Sequence, residues 1–206
     1  MRRLALSLTL VLAAAALASS PTAAHADPWE HDGFLFRGTL GLGYEVIAED
    51  NTVLGDLTIG GFGASVSFAF GHSLGRTNLA IHGEIFGNAV FEPAVRADGD
   101  KLGNLDDTTL SLGALGVGVT YYFMPINLYV SATFGVGAAN LKVDGQDNKS
   151  DPGFAMHFLV GKEFWVGPRW GLGFMAGFTF CRVPFNDGDT VDPYLGANFG
   201  FSATFN

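Results

Sequence analysis

Five ionisable residues sit in stretches that otherwise carry almost no charge. Arg37, His82, Glu84, His157 and Glu163 each lie in a run where large apolar side chains alternate with Gly, Ala, Ser and Thr. Each falls on the small-residue face of its run. An isolated charge enclosed among small residues is unstable, so these groups are expected to partner one another. The expected network is centred on Arg37 with Glu163 and Glu84, with His82 at the height of Glu84 and His157 higher. Two roles follow for it: a side-chain plug that fixes strand register, or the gate of a narrow pore. A third chemistry is weighed at His82-x-Glu84, where a base and an acid share one face and Ser65 and Ser67 lie on the neighbouring run. No serine belongs to that motif, so catalysis is not expected.

The elements that position these residues are read from a period of two. In the last run Leu195, Ala197, Phe199, Phe201, Ala203 and Phe205 share one face, and Tyr194, Gly196, Asn198, Gly200, Ser202 and Thr204 share the other. Such alternation marks a β-strand between two different environments. Eight runs repeat it, at 33–46, 57–71, 77–89, 108–123, 127–138, 153–166, 169–181 and 193–206. Neither face is charged enough to meet water along a whole surface. The pattern therefore predicts an all-β fold, an eight-stranded antiparallel up-and-down transmembrane β-barrel, with bulky residues toward lipid and small or ionic ones toward the lumen. On the first run Phe36, Leu40, Leu42 and Tyr44 face out, and Arg37, Thr39, Gly41, Gly43 and Glu45 face in. On the fourth run the parity of Leu110 and Leu112 differs from that of Leu115, Val117 and Val119, which predicts a β-bulge near Gly113. A membrane helix over 110–136 is disfavoured by Pro125 and four glycines.

The connections alternate, with short turns at 71–78, 124–127 and 167–169 and longer polar segments at 49–56, 88–107, 140–152 and 182–192. This is the pattern of tight periplasmic turns and longer external loops. The 88–107 segment is the longest, and is expected to fold over the mouth or meet a partner. Tyr121, Tyr122, Phe123, Tyr129, Phe164, Trp165 and Trp170 gather near the short turns and are expected to form an interfacial aromatic band. Carboxylates gather in the longer segments, where they are candidates for divalent cations, although no segment has Ca²⁺-loop spacing. No metal or cofactor set is expected elsewhere, since Cys181 stands alone.

Met1-Arg2-Arg3, an apolar stretch from Leu4 to Leu17, and Ala24-His25-Ala26 together read as an export signal cleaved after Ala26. Residues 27–206 are then one domain. Losing Arg2 and Arg3 leaves nine basic against twenty acidic residues, a net −11. That excess of negative charge argues against nucleic acid as a partner.

The signal, the eight alternating runs, the small lumen-facing residues and the near-terminal Phe205 make the chain similar to the eight-stranded outer-membrane barrel superfamily. That group includes the OmpA transmembrane domain, OmpX, OmpW and the opacity-type porins. The resemblance implies an outer-membrane location, contact with lipids and lipopolysaccharide, and insertion by the barrel-assembly machinery with Phe205 as the signal. It implies a structural or surface-interaction role, or an OmpW-like channel for ions or small hydrophobic solutes. Some barrels of this size modify lipid A, which is the reading against which His82-x-Glu84 was weighed.

Overall fold

Main-chain polar groups in hydrocarbon must all pair internally, and strands manage this only in a sheet that closes on itself. The computed structural model describes residues 30–52, 55–185, 189–190 and 193–206, and its sheet closes. The wall strands are β1 (Gly33–Thr52), β2 (Gly55–Ser73), β3 (Leu79–Phe91), β4 (Thr108–Phe123), β5 (Leu128–Val143), β6 (Gly153–Trp165), β7 (Trp170–Arg182) and β8 (Tyr194–Phe205). Each pairs antiparallel with the next. β8 returns to β1 in unbroken register from Phe36↔Phe205 to Ile47↔Tyr194. The expected fold class is therefore the observed one. The export signal at 1–26 lies outside the described residues.

β4, β6, β7 and β8 lie within a residue of their expected ends, β3 is shifted by two residues, and β1, β2 and β5 outrun theirs. β1 and β2 stay paired up to Thr52↔Gly55, and the 88–107 segment is itself a β-hairpin. Its strand Ala94–Ala97 pairs along β2 from Leu57 to Gly60, so it extends the wall as a further pair of strands. Arg96 Nη1 donates to the Tyr44 hydroxyl at 2.7 Å and ties the hairpin to β1. Gln146–Lys149 likewise folds back on β5. The physical reason is plain. A polar composition marks where apolar surroundings stop, but main-chain groups beyond that point still pair whenever a neighbouring strand is in reach.

The faces are inverted relative to a water-soluble barrel. Phe62, Leu42 and Val117 are 81%, 72% and 71% exposed, and Phe68, Phe174 and Phe199 point outward with them. Arg37 and Glu163 have no exposure at all. An unbroken apolar belt of this kind suits hydrocarbon and not water.

Two expectations are corrected. β4 carries no bulge at Gly113: its register against β3 and β5 runs without a shift. Thr108, Leu110, Leu112 and Ala114 all point inward. The apolar pair reflects a greasy section of lumen, not a change of parity. Tyr122 and Tyr129 are also absent from the outer aromatic band. Tyr121 and Phe123 face out, so a period of two turns Tyr122 inward, and its register partner Tyr129 follows. Tyr121, Phe123, Phe164 and Trp170 remain exposed, and Trp165 is half-buried.

Inside the wall, two apolar clusters occupy opposite ends. Toward the long connections lie Ile47, Phe86, Val90, Leu110, Leu112, Val183 and Tyr194. Toward the short turns lie Leu35, Ala80, Tyr122, Tyr129, Leu159 and Met175. The ionic residues lie between and among them.

The belt makes a direct prediction. Val117→Arg should lower folding stability in phospholipid vesicles by about 2–4 kcal/mol, read from urea titration. An effect within about 0.5 kcal/mol, the usual range for a water-exposed site, would show that Val117 does not face hydrocarbon.

Candidate functional site

The polar section of the lumen is built by alternate residues of all eight strands. Arg37 rises from β1 and finds its partners across the barrel on β4 and β5. Its Nη1 donates to Thr120 Oγ1 at 3.0 Å and its Nη2 to Ser131 Oγ at 2.8 Å. Thr120 passes a further hydrogen bond to Ser131 at 2.9 Å. The guanidinium carbon lies 4.8 Å from the centre of the Tyr129 ring, within cation–π range. Tyr129 has room only because Gly161 faces it: a Cβ there would stand 2.5 Å from the ring.

Glu84, on β3, is the hub of a second group. Thr133 Oγ1 donates to Glu84 Oε2 at 2.5 Å, and His157 Nδ1 stands 3.1 Å from Oε1. His82 Nε2 lies 3.9 Å from the carboxylate and 3.2 Å from Thr133 Oγ1. Thr133 spends its one hydrogen on Glu84, so His82 must donate to it from Nε2. The His157 ring is stacked on Phe86, with centroids 4.7 Å apart.

Glu163, on β6, forms a third group with the last strand. Its Oε1 accepts from Ser202 at 2.9 Å and from Thr204 at 2.7 Å. Arg37 is the register partner of that same Thr204.

The five expected residues thus share one lumen, but not by the expected contacts. Arg37 does not ion-pair with Glu84 or Glu163. Its hydrogen bonds go to hydroxyls, and Glu84 has two imidazoles beside it instead. Hydroxyls can approach a charge closely without a charged head of their own, which suits a narrow lumen. Nor does His82 meet a serine. Ser67 shares a hydrogen bond with Thr39 at 2.8 Å, while His82 contacts Thr133 and Thr120. Phe205 lies on the outer wall beside Trp170 and Phe34, with centroids 5.1 and 6.5 Å away.

Two features were not among the expected site residues. Glu45 is a fully buried carboxylate higher in the lumen; its parity was legible, its surroundings were not. His31 precedes β1 and crosses the mouth on the short-turn side. It stacks on Tyr122 at 3.5 Å and hydrogen-bonds Asn127 at 2.8 Å. Nothing in its local sequence marks it.

No protein-family model matches the sequence, and no curated protein matches it. Solved structures do. Neisserial surface protein A is 14% identical over 84% of this chain and 99% of its own, with a TM-score of 0.58. OprG from Pseudomonas aeruginosa is 12% identical over 87% of this chain and 100% of its own, with a TM-score of 0.50. Together with the closed ring of eight strands, these settle the architecture. The fold is that of the eight-stranded outer-membrane β-barrels. At such identities the likeness is one of fold.

Two predictions follow from the lumen. Arg37→Met and Glu84→Gln should each destabilise the barrel by about 3 kcal/mol. The double variant should fall short of their sum by at least about 0.5 kcal/mol, because Arg37 and Glu84 are joined by a chain of contacts through Thr120, His82 and Thr133. Strict additivity in urea titrations would show the two groups to be independent. At the mouth, burial holds the His31 imidazole below its ordinary value. In the unfolded chain His31 takes a proton as the pH falls through about 6.5, but the docked ring does so only at lower pH. Docking is therefore at full strength above that point and weakens below it. His31→Phe keeps a ring for the stack and cannot titrate. Its urea midpoint should fall less than that of the unaltered protein between about pH 7.5 and about pH 5.5. Equal falls would place the loss elsewhere.

Proposed function

We propose that this chain is an integral outer-membrane protein with a sealed lumen, acting as a structural or surface-interaction element of the envelope and not as a pore or an enzyme. One observation carries the reading. The lumen is filled at both ends, by Tyr122, Tyr129 and Arg37 under His31 on one side and by Val90, Leu110, Leu112 and Val183 on the other. Eight strands leave an interior just wide enough for side chains, so such filling leaves little path for water. On this reading Arg37, His82, Glu84, His157 and Glu163 form a plug that fixes register. The histidines support it, since His82 is engaged with Glu84 and Thr133 and His157 with Glu84 and Phe86, all buried in the lumen.

The long connections then face outward and the termini lie in the periplasm. The apolar belt would meet membrane lipid and lipopolysaccharide, and Phe205 would serve the assembly machinery. Carboxylates such as Asp98, Asp100, Asp144 and Asp147 are exposed at the outward end, where divalent cations of the surface layer would reach them. The name of Neisserial surface protein A accords with a surface role.

The reading is tested in planar bilayers. The purified barrel should give no steady conductance. A sustained current that changes on Glu163→Gln would replace the plug with a gate, and the chain would be a narrow channel.

A further inference from the structure

One section of the lumen is not explained by packing. Glu45 on β1 has no solvent exposure, and neither carboxylate oxygen has a hydrogen-bond partner. Among the described residues it is in no ion pair. The groups around it are polar and neutral. The Asn88 amide and the Tyr194 phenol lie beside the carboxylate, and the Tyr194 hydroxyl is itself without a hydrogen-bond partner. Asn88 touches Thr179 at 3.4 Å. One step nearer the short turns, Asn198 has neither amide atom hydrogen-bonded, and the Ser65 hydroxyl is also unpartnered.

Register places these groups together. Glu45 pairs with Gly196, and Gly196 with Thr179; Asn198 pairs with Gly43 and Gly177, and Ser65 with Asn88. The glycines give these side chains the room they occupy. A Cβ on Gly196 would overlap the Glu45 carboxylate and come within 3.0 Å of the Asn88 amide, and one on Gly177 would stand 2.6 Å from Asn198 Oδ1. Above, Ile47, Val90 and Tyr194 close the section with apolar surface.

Elsewhere in this lumen every charge has been given neighbours. Arg37 has two hydroxyls and a ring; Glu84 has a hydroxyl and two imidazoles; Glu163 has two hydroxyls. Glu45 alone among these has neither carboxylate oxygen hydrogen-bonded, although the Asn88 amide nitrogen and the Tyr194 hydroxyl lie beside it. An ionised carboxylate so enclosed is strongly disfavoured unless a positive charge joins it. We infer that Glu45, Tyr194, Asn88, Asn198 and Ser65 form a binding site for a small hard monovalent cation such as sodium. The donors are oxygens, which suit a hard ion. The site carries one negative charge, so a single positive charge neutralises it, whereas Ca²⁺ usually draws several carboxylates. The site does not depend on whether the barrel conducts, because the ion completes the lumen packing and need not pass through it.

The experiment compares urea midpoints of the detergent-folded full chain in sodium chloride and in choline chloride at equal ionic strength. Choline is too large to enter. The midpoint should be higher in sodium, because an ion that binds only the folded state stabilises it. Glu45→Gln should lose that difference, and Glu84→Gln should keep it. The acidic outward loops are intact in both variants, so a sodium effect that survives in Glu45→Gln overturns the assignment. Crystals of the unaltered protein grown in thallium(I) acetate give a second measurement that needs no variant to fold. An anomalous peak beside the Glu45 carboxylate is expected. No peak, together with equal midpoints in the two salts, would leave a protonated acid at Glu45 and no cation site.

Discussion

Everything in this molecule depends on the pairing of β8 with β1. That join removes the last unpaired edge, so every wall strand has a hydrogen-bonded neighbour on both sides. Once the sheet is a ring, each side chain has only two places to go, outward or into a narrow interior. The exposed belt of Phe, Leu and Val and the enclosed Arg37 and Glu163 are two results of one constraint. A sheet left open would expose a strand edge to hydrocarbon, which has nothing to offer its polar groups.

The interior then poses a packing problem of unusual severity. Eight strands supply more inward positions than large side chains can occupy, and Gly161 and Gly196 show how it is solved. Residues lacking a Cβ stand opposite the bulky or charged ones, so Tyr129 and Glu45 fit where two ordinary side chains would collide. The charges are spread out along the lumen rather than paired head to head. Arg37 and Glu163 both use serine and threonine hydroxyls from distant strands. The Arg37 bonds cross the lumen and the Glu163 bonds reach past β7 to β8, so the polar section braces the wall from within.

Parity was the part of the structure most legible in the chain. The alternation of Phe68, Phe174 and Phe199 with small residues indicated strands, their number and their outward faces. It failed where composition was used in place of parity. Leu110 and Leu112 were apolar, and a lipid-facing position with a bulge was expected; they line a greasy end of the lumen instead. Tyr122 and Tyr129 were grouped with neighbouring aromatics, though the period of two turned them inward. The outward ends of β1, β2 and β5 were misplaced because a change to polar residues, as at Glu49, reflects solvent and not the end of pairing. The lumen charges were found as a set, since a charge on a small-residue face is conspicuous. Their partners were not, because the relevant hydroxyls at Thr120, Ser131, Thr133 and Thr204 come from strands far away in sequence, and nothing local ranks one serine or threonine above another.

His31 has a mechanical consequence. The ring lies just ahead of β1, yet it is fastened to Tyr122 and Asn127, on and beside the β4–β5 turn. A pull on the chain ahead of His31 is therefore taken up by the far wall before it can reach the seam between the first and last strands. The anchor acts as strain relief, and the barrel would yield to tension first by releasing this ring and only afterwards by unzipping.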